Sequence, residues 1–188
     1  KLEIPHISTY SLIIEPHTVL GIKETYIEDE IDFSMYQVIC NTLKMHEYKH
    51  YEVSNFCKIG YESRHNLTYW NNEQYYGFGL GASGYLGRTR YTNTRSINHY
   101  LNGNWMYEKE ILTDHEIMEN ECILGLRKLE GISLDAFYQK YHKQLEEIFE
   151  YSSLLKKGLL EVQNGYLKIP EDKIYLSNEV LIHFIGEA

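Results

Sequence analysis

Residues 64–70 read Arg-His-Asn-Leu-Thr-Tyr-Trp, and residues 77–84 read Gly-Phe-Gly-Leu-Gly-Ala-Ser-Gly. The first stretch presents an imidazole, an amide, a phenol and an indole between His65 and Trp70. The second is a loop of small residues that lets a flat ligand approach the backbone, and neighbouring aromatic rings give that ligand faces to lie on. An ordinary turn with a structural histidine and packed rings has the same composition. The two stretches alone leave both interpretations open.

The composition is that of a globular protein with an acidic balance. The chain has 188 residues, is 43% hydrophobic and 24% charged, and carries a formal net charge of −9. Nucleic acids and anionic membrane surfaces are bound by clusters of Lys and Arg, so neither is predicted as a partner. No apolar run approaches the length of a membrane span, and none is predicted.

Three cysteines, Cys40, Cys57 and Cys122, are widely separated along the chain. Their odd number and spacing fit neither a disulfide framework nor a zinc or iron–sulfur ligand set. Reduced thiols in a cytoplasmic protein are the expected state. Because a lysine comes first, directly before a strand-like run, we expect this chain to be a piece of a longer protein that begins in mid-fold.

The first part of the chain has the pattern of a βαβ unit. Residues 6–14 are rich in β-branched and aromatic side chains, residues 32–46 have apolar side chains at helical spacing, and residues 51–56 form a second strand-like run. This order predicts an α/β fold with a parallel pair of strands. Ligands gather at the carboxyl ends of such strands, where residues 65–70 would lie. Another candidate strand, residues 73–78, would bring the glycine-rich run to the same side.

After residue 110 the pattern becomes mainly helical. Residues 114–129 carry an apolar stripe, and Ser133 is a good N-cap for a second helix that extends to Phe149. Asn164-Gly165 between two short apolar runs is typical of a type I′ hairpin. Ser177 is expected to cap a last helix.

Helices followed by such a hairpin resemble a winged-helix module, with a domain boundary after residue 109. Residues 111–188 contain 14 acidic and 8 basic side chains, a balance that disfavours DNA binding. A packing, lid or protein-docking role is the better interpretation of this module.

Two enzymatic interpretations fail on local context. The run from Gly79 to Gly84 formally matches GxGxxG, but residues 85–90 look like a strand or turn instead of the helix that a dinucleotide site requires. The sequence has no Gly-x-Ser-x-Gly elbow of a hydrolase. No catalytic residue is assigned. His65 stays a candidate haem ligand, with a structural histidine as the alternative.

Several segments, in this order, resemble the radical SAM proteins related to oxygen-independent coproporphyrinogen III oxidase, the HemN-like family. They are residues 6–16, 51–56, 65–70, 76–82 and 90–93. Shorter segments of the tail are similar to the family's C-terminal domain: Gly125-Leu-Arg127, Gly131-Ile132, Gly158-Leu-Leu160 and Ser177-Asn-Glu-Val180. Within this family, His-Asn-x-x-Tyr-Trp resembles the haem-binding signature of the HemW haem chaperones.

The resemblance implies the C-terminal portion of a partial TIM-type radical SAM barrel in residues 1–109. A mainly helical, winged-helix-like HemN-type domain would follow in residues 110–188. Full-length members hold a [4Fe–4S] cluster and S-adenosylmethionine. The cluster motif CxxxCxxC does not occur in these 188 residues, so this polypeptide is expected to be inactive as an enzyme by itself.

The resemblance also implies a haem site. His65 would be the iron ligand, with Asn66, Tyr69 and Trp70 beside it. The cofactor-contacting residues would be Gly79, Gly81 and Ala82.

The implied function is that of a cytoplasmic chaperone that binds haem and delivers it to an acceptor protein. The alternative is the oxidase itself, which makes protoporphyrinogen IX by oxidative decarboxylation. Two positions depart from the family pattern: His17 stands where glycine is usual, and Gly84 stands where serine or histidine is common.

Overall fold

The computed structural model describes residues 3–23 and 26–186. The chain divides into two compact units, Lys1–Ser63 and Arg64–Ala188. All strand pairs among the described residues are antiparallel.

The first unit contains one small sheet and one long helix. Its elements are β1 (His6–Ser8), α1 (Val19–Ile22), α2 (Asp29–Met45), β2 (Lys49–Glu52) and β3 (Asn55–Cys57). The strand order is β1-β3-β2. The predicted helix over residues 32–46 is confirmed, and it begins three residues earlier at Asp29. None of its residues is buried: Met35 and Val38, on the predicted apolar face, are 47% and 64% exposed.

The predicted parallel pair is wrong, because the run 51–56 is two strands and a turn. The chain reverses at Val53-Ser54, where the Glu52 carboxylate accepts a hydrogen bond from the Ser54 N–H at 3.4 Å. β3 therefore lies antiparallel between β2 and β1.

The predicted strand over residues 6–14 is correct only as far as Ser8. The Thr9 N–H still bonds to the Ser54 carbonyl at 2.8 Å, but the turn leaves no further partner strand. A later turn holds His17 at φ +68°, in the left-handed region where glycine is favoured. This conformation explains why glycine would suit the position better.

The second unit begins with α3 (Arg64–Trp70) and a meander sheet. The sheet contains β4 (Ser83–Leu86), β5 (Thr89–Asn93) and β6 (Met106–Ile111) in that order, and α4 (Ile97–Leu101) connects the last two strands. The strand predicted over residues 73–78 is wrong, since it is reduced to one bridge between Tyr75 and Tyr85. The strand- or turn-like pattern of residues 85–90 is confirmed.

The rest of this unit is helical, with a second three-stranded sheet. Its elements are α5 (Asp114–Gly125), β7 (Ile132–Ser133), α6 (Leu134–Tyr141), α7 (Leu145–Ile148), α8 (Ser152–Lys156), β8 (Glu161–Gln163), β9 (Tyr166–Lys168) and α9 (Ser177–Leu181). Short 3₁₀ turns, Glu171–Leu176 and Ile182–Phe184, flank α9. The sheet order is β7-β9-β8. Fully buried Leu126, Leu154, Leu167, Ile169 and Val180 form the centre of the core.

Local signals in this part were mostly correct. The Ser133 hydroxyl caps α6, and the hairpin turn has Asn164 at φ +52° and Gly165 at φ +81°. The helix predicted to reach Phe149 is interrupted, because His142 adopts a left-handed conformation. Ser177 is the first residue of α9 and does not cap it. The proposed boundary after residue 109 falls within β6, and it stays a prediction.

Candidate functional site

The stretch 64–70 forms the helix α3, which divides its functional side chains between two faces. Residues four apart lie on the same side of an α-helix, and consecutive residues are rotated by about 100°. His65 therefore shares a face with Tyr69, and Asn66 shares another with Trp70. The helix ends at Trp70, and Asn72 in the turn after it adopts the left-handed conformation at φ +50°.

On the first face, the rings of His65 and Tyr69 are in edge-to-face contact, and Tyr69 makes a similar contact with Tyr75, which follows the helix. The centroids of His65 and Tyr69 are 4.8 Å apart with the planes at 85°, and those of Tyr69 and Tyr75 are 4.5 Å apart at 74°. The His65 side chain is exposed, and neither ring nitrogen has a hydrogen-bond partner among the described residues. An exposed imidazole whose ring nitrogens make no hydrogen bond can donate a nitrogen lone pair to a metal.

Tyr69 also lines a cavity of about 660 Å³ between the end of α3, α5 and the meander sheet. Ligand sites typically have volumes of roughly 300–1,000 Å³. The wall includes four tyrosines, two cationic residues and three carboxylates: Tyr69, Tyr75, Tyr85, Tyr91, Arg90, Lys109, Glu73, Glu108 and Glu110. Burial raises the pKa of Tyr75, and the nearby charge of Arg90 opposes that shift. Tyr75 therefore stays a neutral hydrogen-bonding group at physiological pH.

The second face of α3 packs against the C-terminal helices. The Arg127 guanidinium lies 5.8 Å from the Trp70 ring centroid. Trp70 lines a separate cavity of about 230 Å³, and its indole N–H is buried without an acceptor in the described part of the chain. Beside it, the Lys128 ammonium donates to the Asn71 side-chain oxygen at 2.6 Å, and burial lowers the pKa of Lys128. The structure therefore brings His65 and Tyr69 together and points Trp70 to a different cavity.

A partly buried polar cluster fixes the end of α3 to α5. The Asn72 amide donates to the Ile117 carbonyl and to the Glu121 carboxylate, both at 3.2 Å. The same Glu121 oxygen accepts from Lys140 at 2.7 Å and from the Tyr141 hydroxyl at 2.9 Å. Burial, and next the charge of Glu121, raise the pKa of Tyr141. The phenol remains a donor, and α3 has a fixed position on the C-terminal helices.

The glycine-rich loop is closed by hydrogen bonds within the chain. Gly79 and Gly81 have φ values of +96° and +67°. The Gly79 N–H donates to the Tyr100 hydroxyl at 3.1 Å, and the Gly81 N–H donates to the Thr94 carbonyl at 3.1 Å. The Ala82 N–H donates to the Gly79 carbonyl at 3.5 Å. These three N–H groups are already used, so a ligand would contact the loop in another way.

Residues of the next strand hold this loop, and sequence reasoning gave them no role. The Asn93 amide donates to the carbonyls of Gly77 and Gly79 at 3.1 and 2.9 Å, and the Tyr91 hydroxyl accepts from the Gly77 N–H at 3.0 Å. The short spacing between the glycine run and Arg90–Asn93 was the available signal, because it predicts a tight antiparallel return.

The donor set does not suit an iron–sulfur cluster. Within residues 3–23 and 26–186, no three His, Cys, Asp or Glu side chains are grouped as a metal site. Cys57 and Cys122 are buried, and burial raises the pKa of both thiols, which keeps them protonated.

Comparison with known proteins agrees with the resemblance seen in the sequence. Residues 112–172 match the family model of the HemN C-terminal domain. The heme chaperone HemW of Bacillus subtilis is 38% identical over 100% of this chain and 52% of its own length. HemW of Lactococcus lactis is 37% identical over 98% of this chain and 52% of its own length.

One solved structure has the same fold. Coproporphyrinogen III oxidase (HemN) from Escherichia coli, a radical SAM enzyme, superposes with a TM-score of 0.74 over 96% of this chain and 48% of its own. At 12% identity this likeness supports the fold alone.

The predicted α/β fold class is confirmed, and the chain matches a C-terminal fragment of the HemN-like proteins, as the sequence resemblance implied. It matches a C-terminal fragment of the HemW type within them, and it spans about half the length of the curated relatives.

Proposed function

We propose that this chain is the C-terminal portion of a HemW-type chaperone that binds haem and passes it to an acceptor protein. Relatives that match almost the whole chain at 37–38% identity carry the name heme chaperone HemW. The observation that carries the proposal is the exposed imidazole of His65, whose ring nitrogens have no partner in the described residues and whose ring makes an edge-to-face contact with Tyr69.

Haem is the cargo in this proposal, and His65 is its iron ligand. Imidazole is a common axial ligand of haem iron. Tyr69 limits rotation of the imidazole, and the rings of Tyr69 and Tyr75 offer apolar surface to the macrocycle. Asn66 and Trp70, on the other face of α3, would hold the helix in place, and a direct contact between haem and these two residues stays a prediction.

A single protein ligand suits a carrier. His65 would hold the iron through its imidazole, and a residue of the acceptor would supply its own ligand on transfer. Exchange of ligands between carrier and acceptor then needs no unfolding of α3, because His65 projects from its exposed face.

The other cofactors of the family belong to the longer protein. A [4Fe–4S] cluster and S-adenosylmethionine are implied by the radical SAM relatives, but the described residues offer no cluster ligand set. Gly79, Gly81 and Ala82 remain proposed cofactor contacts. Space around Gly79 supports this, because an added Cβ there would meet no atom within 4 Å.

We also propose a cytoplasmic location, in keeping with the buried, protonated thiols of Cys57 and Cys122. No helix within the described ranges is long and apolar enough to cross a membrane. Nucleic acid is not a proposed partner, because the net charge of −9 would repel it.

The test is a titration of ferric haem into the 188-residue chain, with the Soret band recorded for the wild type and His65→Ala. We expect a red-shifted Soret band in the wild type that is lost in the variant, because an imidazole ligand is removed. His99→Ala, at an exposed position of α4, is the matched control and should behave as the wild type. Equal spectra and equal affinities for wild type and His65→Ala would overturn the ligand assignment.

A further inference from the structure

We propose that Arg90 is the carboxylate anchor of this site: its guanidinium, in the tyrosine-lined cavity of about 660 Å³, binds a propionate of the tetrapyrrole. This inference rests on the proposed haem-binding function, and it adds a residue that determines which tetrapyrroles are held. Haem has an apolar ring and two carboxylates, so a binding site needs an apolar wall and a cationic group.

The strand register puts Arg90 inside the cavity. Arg90 is directly opposite Tyr85 on β4 and Glu110 on β6, and directly opposed residues point to the same face of a sheet. Tyr85 is only 5% exposed, and both Tyr85 and Arg90 line the cavity. Arg90 is half-buried there, and its charge acts on the Tyr75 phenol across the same cavity.

The Arg90 guanidinium has unused donors. Its one contact of note is with the Tyr85 ring, 5.6 Å from its centroid. It forms no hydrogen bond and no ion pair in the described part of the molecule, even though Glu110 is its cross-strand partner. A guanidinium has five N–H donors in a planar fork that matches a carboxylate, and a half-buried one without an acceptor is suited to receive it from a ligand.

Arg88, two residues earlier, shows the contrast. Its guanidinium donates to the Asp114 carboxylate at 2.5 Å and to the Leu112 carbonyl at 3.0 Å, so it is occupied by a structural role. The two arginines are equal in charge and close in sequence. Arg88 is therefore the matched control for Arg90.

Tyr69 lies between His65, the proposed iron ligand, and the cavity that contains Arg90, the proposed propionate anchor. Tyr69 contacts the His65 ring on one side and lines the cavity of Arg90 on the other. A macrocycle ligated by His65 and lying over Tyr69 and Tyr75 would direct a propionate toward Arg90.

The carboxylates that line the cavity repel a propionate, so removal of one of them should strengthen haem binding. Glu73, Glu108 and Glu110 line the same cavity, and all three side chains are exposed. The Glu110 charge, directly opposite Arg90, would compete with a propionate. Removal of that charge by Glu110→Gln is therefore expected to strengthen haem binding, by roughly two- to five-fold for an exposed charge.

The experiment compares ferric haem with its dimethyl ester, in which both carboxylates are blocked. Dissociation constants are measured by Soret titration for the wild type, Arg90→Gln, Arg90→Lys and Arg88→Gln, after thermal unfolding has verified that each variant is folded. Arg90→Gln should weaken haem binding by roughly ten- to one-hundred-fold, the range for hydrogen bonds to a charged group. It should leave the Soret position of saturated protein unchanged, because His65 remains the ligand. Arg90→Lys should recover part of the affinity, and Arg88→Gln should equal the wild type.

The ester separates the possible outcomes. Wild type and Arg90→Gln should bind it equally and weakly. An equal loss with haem and ester would show that Arg90 only supports the fold of the cavity, and no loss with either would also overturn the anchor. Loss of the Soret shift in His65→Ala with no effect of Arg90→Gln would leave the proposed function intact and remove this inference alone. A wild-type chain that does not bind haem would overturn both.

Discussion

The ring of Tyr91 lies across Gly84, its direct partner on the neighbouring strand, and a Cβ atom at residue 84 would overlap that ring. The Tyr91 hydroxyl accepts a hydrogen bond from the Gly77 N–H at 3.0 Å. One glycine without a side chain thus allows a tyrosine to cover the strand and hold the glycine-rich loop.

Gly84→Ser should therefore destabilise the chain. The added atoms have to displace the Tyr91 ring, and overpacking of this kind costs about 1–3 kcal/mol of unfolding free energy. Urea denaturation gives the value. In a Tyr91→Ala background the same substitution should cost much less, because the obstructing ring is gone. Additive costs in this double-mutant cycle would contradict the steric explanation.

Asn93 should control the closure of the glycine-rich loop. It is 2% exposed, and its amide donates to the carbonyls of Gly77 and Gly79. Asn93→Ala leaves both carbonyls without that donor, and we expect a loss of about 1–3 kcal/mol. Proteolysis within residues 76–82 should become faster. Thr92→Ala, which removes only a hydroxyl contact with Ser83, is the control, and equal cleavage rates in the two variants would contradict this role.

The sequence predicted those parts of the fold that depend on local chemistry. α2, the Ser133 cap and the Asn164-Gly165 hairpin each follow from a few neighbouring residues. The predicted sheet of the first unit was wrong, because a two-residue turn at Val53-Ser54 converts one predicted strand into a hairpin. Such a turn carries no glycine or proline, so composition did not reveal it.

The motif of the candidate site could be recognised in the sequence, but the spatial arrangement of its side chains could not. The motif His65 to Trp70 was found from its chemistry, whereas its helical form, which separates Tyr69 from Trp70, was not predicted. Arg90 entered only through family resemblance, because its place in the cavity depends also on pairing with Glu110 of β6, which lies far along the chain beyond α4. Long-range register is the information that a single sequence lacks.

Substitutions of Tyr69 and Trp70 should have different effects. Tyr69→Ala removes the ring that contacts His65, so we expect weaker haem binding by roughly ten-fold, the lower end of the range for loss of an aromatic contact at a binding site. Trp70→Ala removes packing against the C-terminal helices and should cost about 2 kcal/mol of stability, less than a fully buried Trp. The Soret band of haem bound to Trp70→Ala should stay at the wild-type position. A shift of that band in folded Trp70→Ala would show instead that Trp70 contacts the haem directly.

The capping box of α5 should make stability depend on pH in the acid range. The Glu116 carboxylate accepts from the Thr113 N–H at 2.6 Å and from the Thr113 hydroxyl at 2.7 Å, and these bonds lower the pKa of Glu116 from its ordinary value of 4.5. A carboxylate whose pKa is depressed on folding stabilises the folded state at pH values above its pKa in the unfolded chain. This contribution is lost as the pH falls through its pKa in the folded chain. Wild type should therefore be more stable than Glu116→Gln at pH 7, and the difference should shrink as the pH falls below 4.5.

Urea denaturation of both proteins at several pH values between 3 and 7 measures this difference. The control is Glu108→Gln, an exposed position on β6 with no hydrogen-bond partner in the described residues. Its difference from wild type should change little over the same range, because no hydrogen bond depends on the charge of Glu108. If the Glu116→Gln difference were constant from pH 7 to pH 3, the carboxylate would contribute no charge-dependent stability, and the side-chain half of the capping box would have to be abandoned.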